Sequence, residues 1–139
     1  MPKKIGVLGG TFDPIHIGHL VMASFAISQF KLDKVIIVPN GNTNNKKAYS
    51  NKECRLEMTY LASKSNQKFD VSDFEILKDE YSYTIDTVRH LKKDDNEIYF
   101  IIGADSFYYL ETWKNFNELK NECKFIAFDR ISDVKTSFE

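Results

Sequence analysis

The sequence contains few cysteines, prolines and glycines, and it has almost no net charge. Its 139 residues include two cysteines, three prolines and six glycines, and the formal net charge at pH 7 is −1. Cys54 and Cys123 lie far apart without a paired spacing, so neither a disulfide framework nor a zinc knuckle is indicated. Balanced charge argues against a general polyanion binder, which usually has a basic face. We therefore expect no nucleic-acid partner, although a local basic pocket is compatible with the composition.

Long apolar runs are missing as well. No stretch approaches the roughly 18 apolar residues that a membrane span needs, and the first apolar run breaks at Gly9, unlike a signal peptide. We therefore expect a cytoplasmic protein without a membrane partner. Apolar residues make up 42% and charged residues 28% of the chain, which is typical of a soluble globular domain.

Short apolar runs alternate with longer segments of helical character. Strands are predicted over residues 5–8, 34–39, 69–74, 97–103 and 124–128, and helices over 18–30, 51–63 and 83–93, with short helices between 104 and 123. The capping-box spacing of Ser50 and Glu53 predicts the start of the second helix. This alternation predicts an α/β fold: a single Rossmann-like, doubly wound domain with a mainly parallel five-stranded sheet. Residues 1–130 would form the domain, and residues 131–139 would form a tail without a clear element.

Two predicted strands end in small residues that are followed by an aspartate, in "VLGGTFD" (7–13) and "FIIGAD" (100–105). Ligands of open α/β sheets bind beyond the carboxyl ends of the strands, where the strand order reverses. If the first and fourth strands are neighbours, Gly9, Gly10, Gly103 and Asp105 line one crevice. Alternatively, the glycines only make tight turns, and Asp105 only caps a helix.

Two histidines three residues apart follow the first strand, in "GGTFDPIHIGHL" (9–20). A metal site is one interpretation, but the spacing lacks the zincin pattern and no third ligand is obvious unless Asp13 serves. A capping or core histidine is a second interpretation. The favoured interpretation is phosphate binding, because a helix beginning at Gly18 offers free N–H groups and a positive dipole end beside His16 and His19.

The whole string resembles the signature of the nucleotidyltransferase superfamily, with its (H/T)xGH motif. Two further blocks, "SYTIDTVRHLK" (82–92) and "FIIGADSFYYLETWKNFNEL" (100–119), resemble bacterial nicotinate-mononucleotide adenylyltransferases. The resemblance extends over about residues 3–130. It implies adenylyl transfer from ATP to nicotinate mononucleotide, giving deamido-NAD and pyrophosphate as a step of NAD biosynthesis. Mg²⁺ would travel with the ATP phosphates rather than occupy a protein metal site.

The same resemblance implies roles for individual residues. His16 and His19 match the catalytic pair that stabilises the transferring phosphate, and Thr84 and Trp113 match positions that bind the mononucleotide. The expected ATP-binding positions are Gly9, Gly10, Thr11, Phe12, Lys47, Gly103, Asp105 and Arg130. Gly9 to Phe12 also match the loop that touches the mononucleotide.

Some of these assignments leave alternatives open. The usual "PPHK" neighbourhood is replaced here by "NTNNKK", so Lys46 is an alternative to Lys47, and a solvated loop charge is another. Arg55 suits a helix arginine of the family, with surface placement equally plausible. Without the resemblance, a single tryptophan such as Trp113 is more often a core residue.

The end of the chain departs from the family pattern. The family continues for several dozen residues and carries an "SSTxIR"-like motif that holds ATP phosphates, whereas this chain ends in "DVKTSFE". We therefore expect weak or no turnover from the 139-residue chain alone. The alternatives are the same chemistry on nicotinamide mononucleotide or phosphopantetheine, a nucleotide-binding module without catalysis, and a zinc hydrolase built on the two histidines. An oligomer is compatible with the sequence.

Overall fold

Strands and helices alternate along the chain, as the sequence pattern predicts. The computed structural model describes residues 2–41, 50–93 and 95–129. The strands are β1 (Lys4–Gly10), β2 (Lys34–Pro39), β3 (Phe69–Val71), β4 (Glu97–Gly103) and β5 (Lys124–Phe128). The helices are α1 (Ile17–Phe30), α2 (Lys52–Ser63), α3 (Thr84–Leu91), α4 (Ala104–Phe107) and α5 (Phe116–Glu122), with a 3₁₀ turn at Leu110–Thr112.

The five strands form one sheet in the order β3-β2-β1-β4-β5, and every neighbouring pair is parallel. Leu8 of β1 lies opposite Ile37 of β2 on one side and Ile101 of β4 on the other. The chain winds outward from β1 in one direction and then returns to continue in the other. The predicted doubly wound parallel sheet is therefore confirmed, and the order reverses between β1 and β4.

Each face of the sheet packs against its own set of helices. Alternate residues of β1 and β4, such as Ile5, Val7 and Phe100, pack with Ile85 and Val88 of α3. The residues between them on the two strands, such as Leu8 and Ile101, pack with Ala23 and Ala26 of α1. Since β1 and β4 are covered on both faces, their sequences are nearly continuous apolar runs.

Several predicted boundaries differ from the structure: β1 extends over Lys4–Gly10 rather than 5–8, α3 covers Thr84–Leu91 rather than 83–93, and three further differences have a local explanation or a small size. β3 ends at Val71 rather than at residue 74, because the Ser72 hydroxyl accepts a hydrogen bond from the Phe74 N–H and starts a turn. The cap of α2 is Asn51, whose side chain accepts from the Cys54 N–H, and not Ser50. α1 begins at Ile17, one residue before the predicted start.

Within the described ranges 2–41, 50–93 and 95–129, no helix combines the length and the apolarity that crossing a membrane requires. The proposed boundary at residue 130 stays a prediction, since the tail 131–139 lies outside these ranges.

Candidate active site

A cavity of about 510 Å³ lies at the carboxyl ends of β1 and β4. Its walls come from the turn after β1, from α1, from segment 81–87 and from the region after β4. Because β1 and β4 pair directly, Gly9, Gly10 and Gly103 line the same space, as the sequence predicts. The cavity therefore occupies the point where the strand order reverses, which is where open α/β sheets bind ligands.

The three sequence blocks of the family resemblance meet in this cavity. Thr11 and His19 come from the first block, Thr84 from the second and Trp113 from the third, and all four line it. Asp105 does not appear among the described lining residues; it is exposed, in the first turn of α4, and the cap of that helix is Gly103. The structure thus brings the blocks together, with Asp105 outside the cavity wall.

His16 and His19 bond to each other across the first turn of α1. The His16 N–H donates to His19 Nδ1 at 3.0 Å, and the Gly18 N–H donates to His16 Nδ1 at 3.1 Å. The two rings stack with their centroids 3.8 Å apart. His16 is therefore the helix cap, and two backbone N–H groups at this terminus already have imidazole acceptors instead of being free for an anion.

The same hydrogen bonds fix the proton of His19. An imidazole nitrogen that accepts a hydrogen bond carries no proton, so neutral His19 has its proton on Nε2. Burial lowers the pKa of His19 from its usual 6.5, and the charge of His16 lowers it further. At neutral pH the ring at the cavity wall is consequently a neutral Nε2–H donor. His16 is exposed and is not among the described residues that line the cavity.

Phe12 is buried against the turn that follows β1, and it is not among the described residues that line the cavity. Its side chain is 3% exposed and packs edge-on against His19, with ring centroids 5.0 Å apart. Its φ of 52° lies in the left-handed region, which residues other than glycine seldom adopt. The Phe12 ring lies so close to Gly10 that a Cβ there would be 2.9 Å from it. Gly10 is thus required by packing, and any ligand contact of Phe12 would come from its backbone.

Trp113 contacts both the core and the cavity. Its ring meets Phe100 and Phe125 edge-on, with centroids 6.0 Å and 6.4 Å apart, and it is partly buried while lining the cavity. The two interpretations left open by the sequence are therefore compatible. The indole contacts the core through two aromatic rings, and the residue also lines the cavity.

Several cavity residues were missed by sequence reasoning: Met22, Asn40, Glu75, Tyr81, Ser82, Thr87 and Ser106. Glu75 accepts a hydrogen bond from the Thr87 hydroxyl at 2.6 Å, and burial raises its pKa above 4.5 against the opposing effect of that bond. Ser82 belongs to the "SYT" block, which gave a signal for it. Glu75 comes directly after the strand predicted over residues 69–74, and no motif marks it.

Among the side chains that the structure describes, the Ser82 hydroxyl is buried without a hydrogen-bond partner. Buried polar atoms in proteins are nearly always paired, so such a group on a cavity wall calls for a partner. The expected phosphate lysine (Lys46 or Lys47) and Arg130 lie outside the described residues. In the described part of the chain, no group of three or more histidine, cysteine, aspartate or glutamate side chains could hold a metal ion.

A model of the cytidylyltransferase-like family matches residues 7–138. The chain belongs to this family. Among similar curated proteins, the "Probable nicotinate-nucleotide adenylyltransferase" of Thermoanaerobacter sp. (strain X514) is 47% identical over 132 residues, covering 91% of this chain and 63% of the relative. The protein of the same name from Moorella thermoacetica is 46% identical, covering 93% of this chain and 62% of the relative. The resemblance read from the three blocks is confirmed.

A solved structure shares the fold of this cytidylyltransferase-like chain. It is the Plasmodium falciparum nicotinic acid mononucleotide adenylyltransferase complexed with NaAD, with a TM-score of 0.81, 23% identity, and coverage of 93% of this chain and 65% of that one. The chain therefore spans slightly less than two thirds of the length of these three proteins.

Proposed function

We propose that this chain carries an adenylyl-transfer site for nicotinate mononucleotide, using ATP and giving deamido-NAD and pyrophosphate. The main support is the meeting of three sequence blocks, far apart in the chain, around one cavity at the β1–β4 strand ends. Supporting this, curated relatives named nicotinate-nucleotide adenylyltransferase are 46–47% identical over more than nine tenths of the chain.

In the proposed reaction the protein mainly aligns the two reactants, and it does not need to supply a base. An oxygen of the mononucleotide 5′-phosphate bonds to the α-phosphorus of ATP, while the bond from that phosphorus to the bridging oxygen breaks and pyrophosphate leaves with the electron pair. Since the attacking phosphate is already an anion, no protein group has to remove a proton from it. Rate acceleration then comes from positioning and from donors placed where negative charge develops.

His19 has the geometry for this donor role. Its Nε2 carries the proton because Nδ1 accepts the His16 N–H, and His19 lines the cavity together with Gly9, Gly10 and Thr11. We assign the donor to His19 and give His16 the task of capping α1 and holding the His19 ring. Of the catalytic pair expected from the sequence, His19 is then the hydrogen-bond donor, and His16 holds it in place.

Other residues that line the cavity suit the two nucleosides. We assign Trp113 to stacking on the pyridine ring, and Thr84 and the buried Ser82 hydroxyl, which also line the cavity, to hydrogen bonds with the mononucleotide. Gly103 leaves space for the adenosine side, since no heavy atom lies within 4 Å of where its Cβ would be. Roles for Lys47, Asp105 and Arg130 in ATP binding stay predictions.

Membership of a nucleotidyltransferase family suggests a divalent metal with ATP, and we propose Mg²⁺. The neutral His19 ring, which lines the cavity as an Nε2–H donor, fits a phosphate oxygen better than a bare cation. Bound through the phosphates, Mg²⁺ would neutralise part of their negative charge. The cytoplasmic location, the lack of nucleic-acid and membrane partners, and self-association stay predictions.

The function is tested by pyrophosphate release from the full-length gene product with ATP and Mg²⁺. Nicotinate mononucleotide, nicotinamide mononucleotide and phosphopantetheine are compared as acceptors in one coupled assay. We expect the highest kcat/KM with nicotinate mononucleotide. Equal or better rates with another acceptor would reassign the substrate, and tight mononucleotide binding without turnover would favour a non-catalytic module.

A further inference from the structure

α2 buries a polar stripe instead of an apolar one. Its buried residues are Arg55, Thr59 and Ser63, one turn apart, each at most 2% exposed. The hydroxyls of Thr59 and Ser63 donate to the backbone carbonyl four residues earlier at 2.8 Å, which satisfies them within the helix. The side chain of Arg55 cannot be satisfied within the helix in this way, because a buried guanidinium needs several hydrogen-bond acceptors.

The acceptors of Arg55 are backbone carbonyls from the loops at the ends of two strands. Nη1 donates to the carbonyls of Thr11 at 2.8 Å and Asn40 at 2.6 Å, and Nη2 donates to Gly41 at 3.0 Å. Nε donates to the carbonyl of Ser50 at 3.3 Å, just before α2 begins. Four of the five N–H donors of one side chain therefore hold three separate pieces of backbone.

Two of these carbonyls belong to the wall of the candidate active site. Thr11 follows β1 and Asn40 follows β2, and both line the cavity. The Asn40 N–H also donates to the Gly10 carbonyl at 2.8 Å, so the two loops are joined a second time. Because a peptide unit is planar, a fixed Thr11 carbonyl also fixes the direction of the Phe12 N–H.

We propose that Arg55 is a positioning residue for adenylyl transfer, holding the loops after β1 and β2 in the arrangement that aligns the phosphates. Its role in turnover rests on the proposed function, whereas its hold on the loops does not. A lysine cannot replace it, because a single ammonium lacks the planar fork that reaches acceptors in several directions. The guanidinium itself is buried behind the loops and acts through them.

The test compares Arg55→Lys and Arg55→Ala with Ser63→Ala in the full-length gene product. Ser63 lies on the same buried stripe but bonds only within α2, so its loss reports general destabilisation. We expect kcat/KM to fall roughly 100-fold in both Arg55 variants, as for an ångström-scale misplacement of a site, and to stay at the wild-type value in Ser63→Ala. Millimolar guanidinium should restore part of the activity of Arg55→Ala and none of Arg55→Lys.

Amide hydrogen exchange tests the positioning role of Arg55 independently of the proposed adenylyl-transfer function. In Arg55→Lys the amides of residues 9–12 and 40–41 should exchange faster, while those of β4 and α3 stay protected. Wild-type exchange rates at residues 9–12 and 40–41 in Arg55→Lys would overturn the positioning role. An equal loss of kcat/KM in Ser63→Ala would overturn it as well. If the wild-type protein transfers adenylyl to no mononucleotide, the proposed function fails, and the exchange result alone decides whether Arg55 holds the loops.

Discussion

The two strand-to-helix turns that form the cavity look alike in sequence and are built differently. Both follow a buried strand with glycine and then aspartate. After β1, the turn is held by imidazole–backbone bonds, by the Ser50 N–H bonded to Asp13, and by the Arg55 contact to Thr11. After β4, a four-residue helix begins at Ala104. Its cap is Gly103, which has no side chain to accept a hydrogen bond, and Tyr108 beyond the helix is 80% exposed.

Because of this difference, we expect the two turns to have different roles in the proposed reaction. A donor that stabilises developing charge must be fixed beforehand, because reorganisation during the reaction would cost part of its effect. A surface that admits a nucleoside needs room instead, and the space around Gly103 gives it. We therefore expect changes in the first turn to affect turnover and stability, and changes in the second turn to affect ligand affinity.

The largest expected effect comes from His19→Ala. Removing one donor of this kind lowers kcat by roughly 100- to 1000-fold, with a smaller effect on KM, since the donor acts mainly in the transition state. Steady-state kinetics of the full-length gene product with nicotinate mononucleotide and ATP measure this.

His90→Ala is the matched control for that change. His90 lies on α3 and stacks on Phe74, with ring centroids 4.0 Å apart, and it is not among the described cavity residues. It should retain wild-type kcat. A wild-type rate in His19→Ala would show that the first turn supplies no donor, and the proposed contrast between the turns would then be wrong.

An intermediate effect is expected from placing the same methyl group on each turn. In Gly10→Ala the Cβ would lie 2.9 Å from the Phe12 ring, so we expect a loss of about 1–3 kcal/mol in the free energy of unfolding. In Gly103→Ala the Cβ enters open space, and stability should stay within about 0.5 kcal/mol of wild type. Urea unfolding measures both, and equal losses would contradict the distinction between a packed and an open turn.

The smallest expected effect is a pH dependence confined to the first turn. Because the pKa of His19 is lowered on folding, the unfolded chain binds the extra proton first, so stability falls as pH drops below 6.5 through the lowered pKa. Between about pH 8 and about pH 5, wild type should lose stability relative to His19→Asn, which has no titrating ring there. Parallel stability curves for the two proteins would show that the ring is not held in its neutral form.

Much of the fold was predictable from the sequence because it depends on local patterns. β5 is observed at the predicted residues 124–128, and the parallel arrangement follows from the alternation of strands and helices. The predicted end of β3 was wrong because the apolar alternation of residues 69–74 continues past Ser72. There the serine hydroxyl accepts a backbone N–H that the strand would otherwise use, and the turn starts.

The candidate site was predictable where glycine, histidine and tryptophan occur in motifs. It was not predictable where the partner comes from elsewhere in the chain. Arg55 has no local signal for burial, because its carbonyl acceptors lie 5 to 44 residues away in sequence. Glu75 is similar, since its partner Thr87 belongs to the next helix.

The sequence by itself determined the order of the strands along the chain, the residues at the two glycine-ended turns, and the family to which the chain belongs. The tertiary structure alone decided that His19 faces the cavity while His16 caps the helix, that Phe12 lies beneath the turn, and that Arg55 joins the loops. The physical reason is that secondary structure follows from neighbouring residues, whereas the surroundings of a side chain depend on which distant segments the fold places beside it.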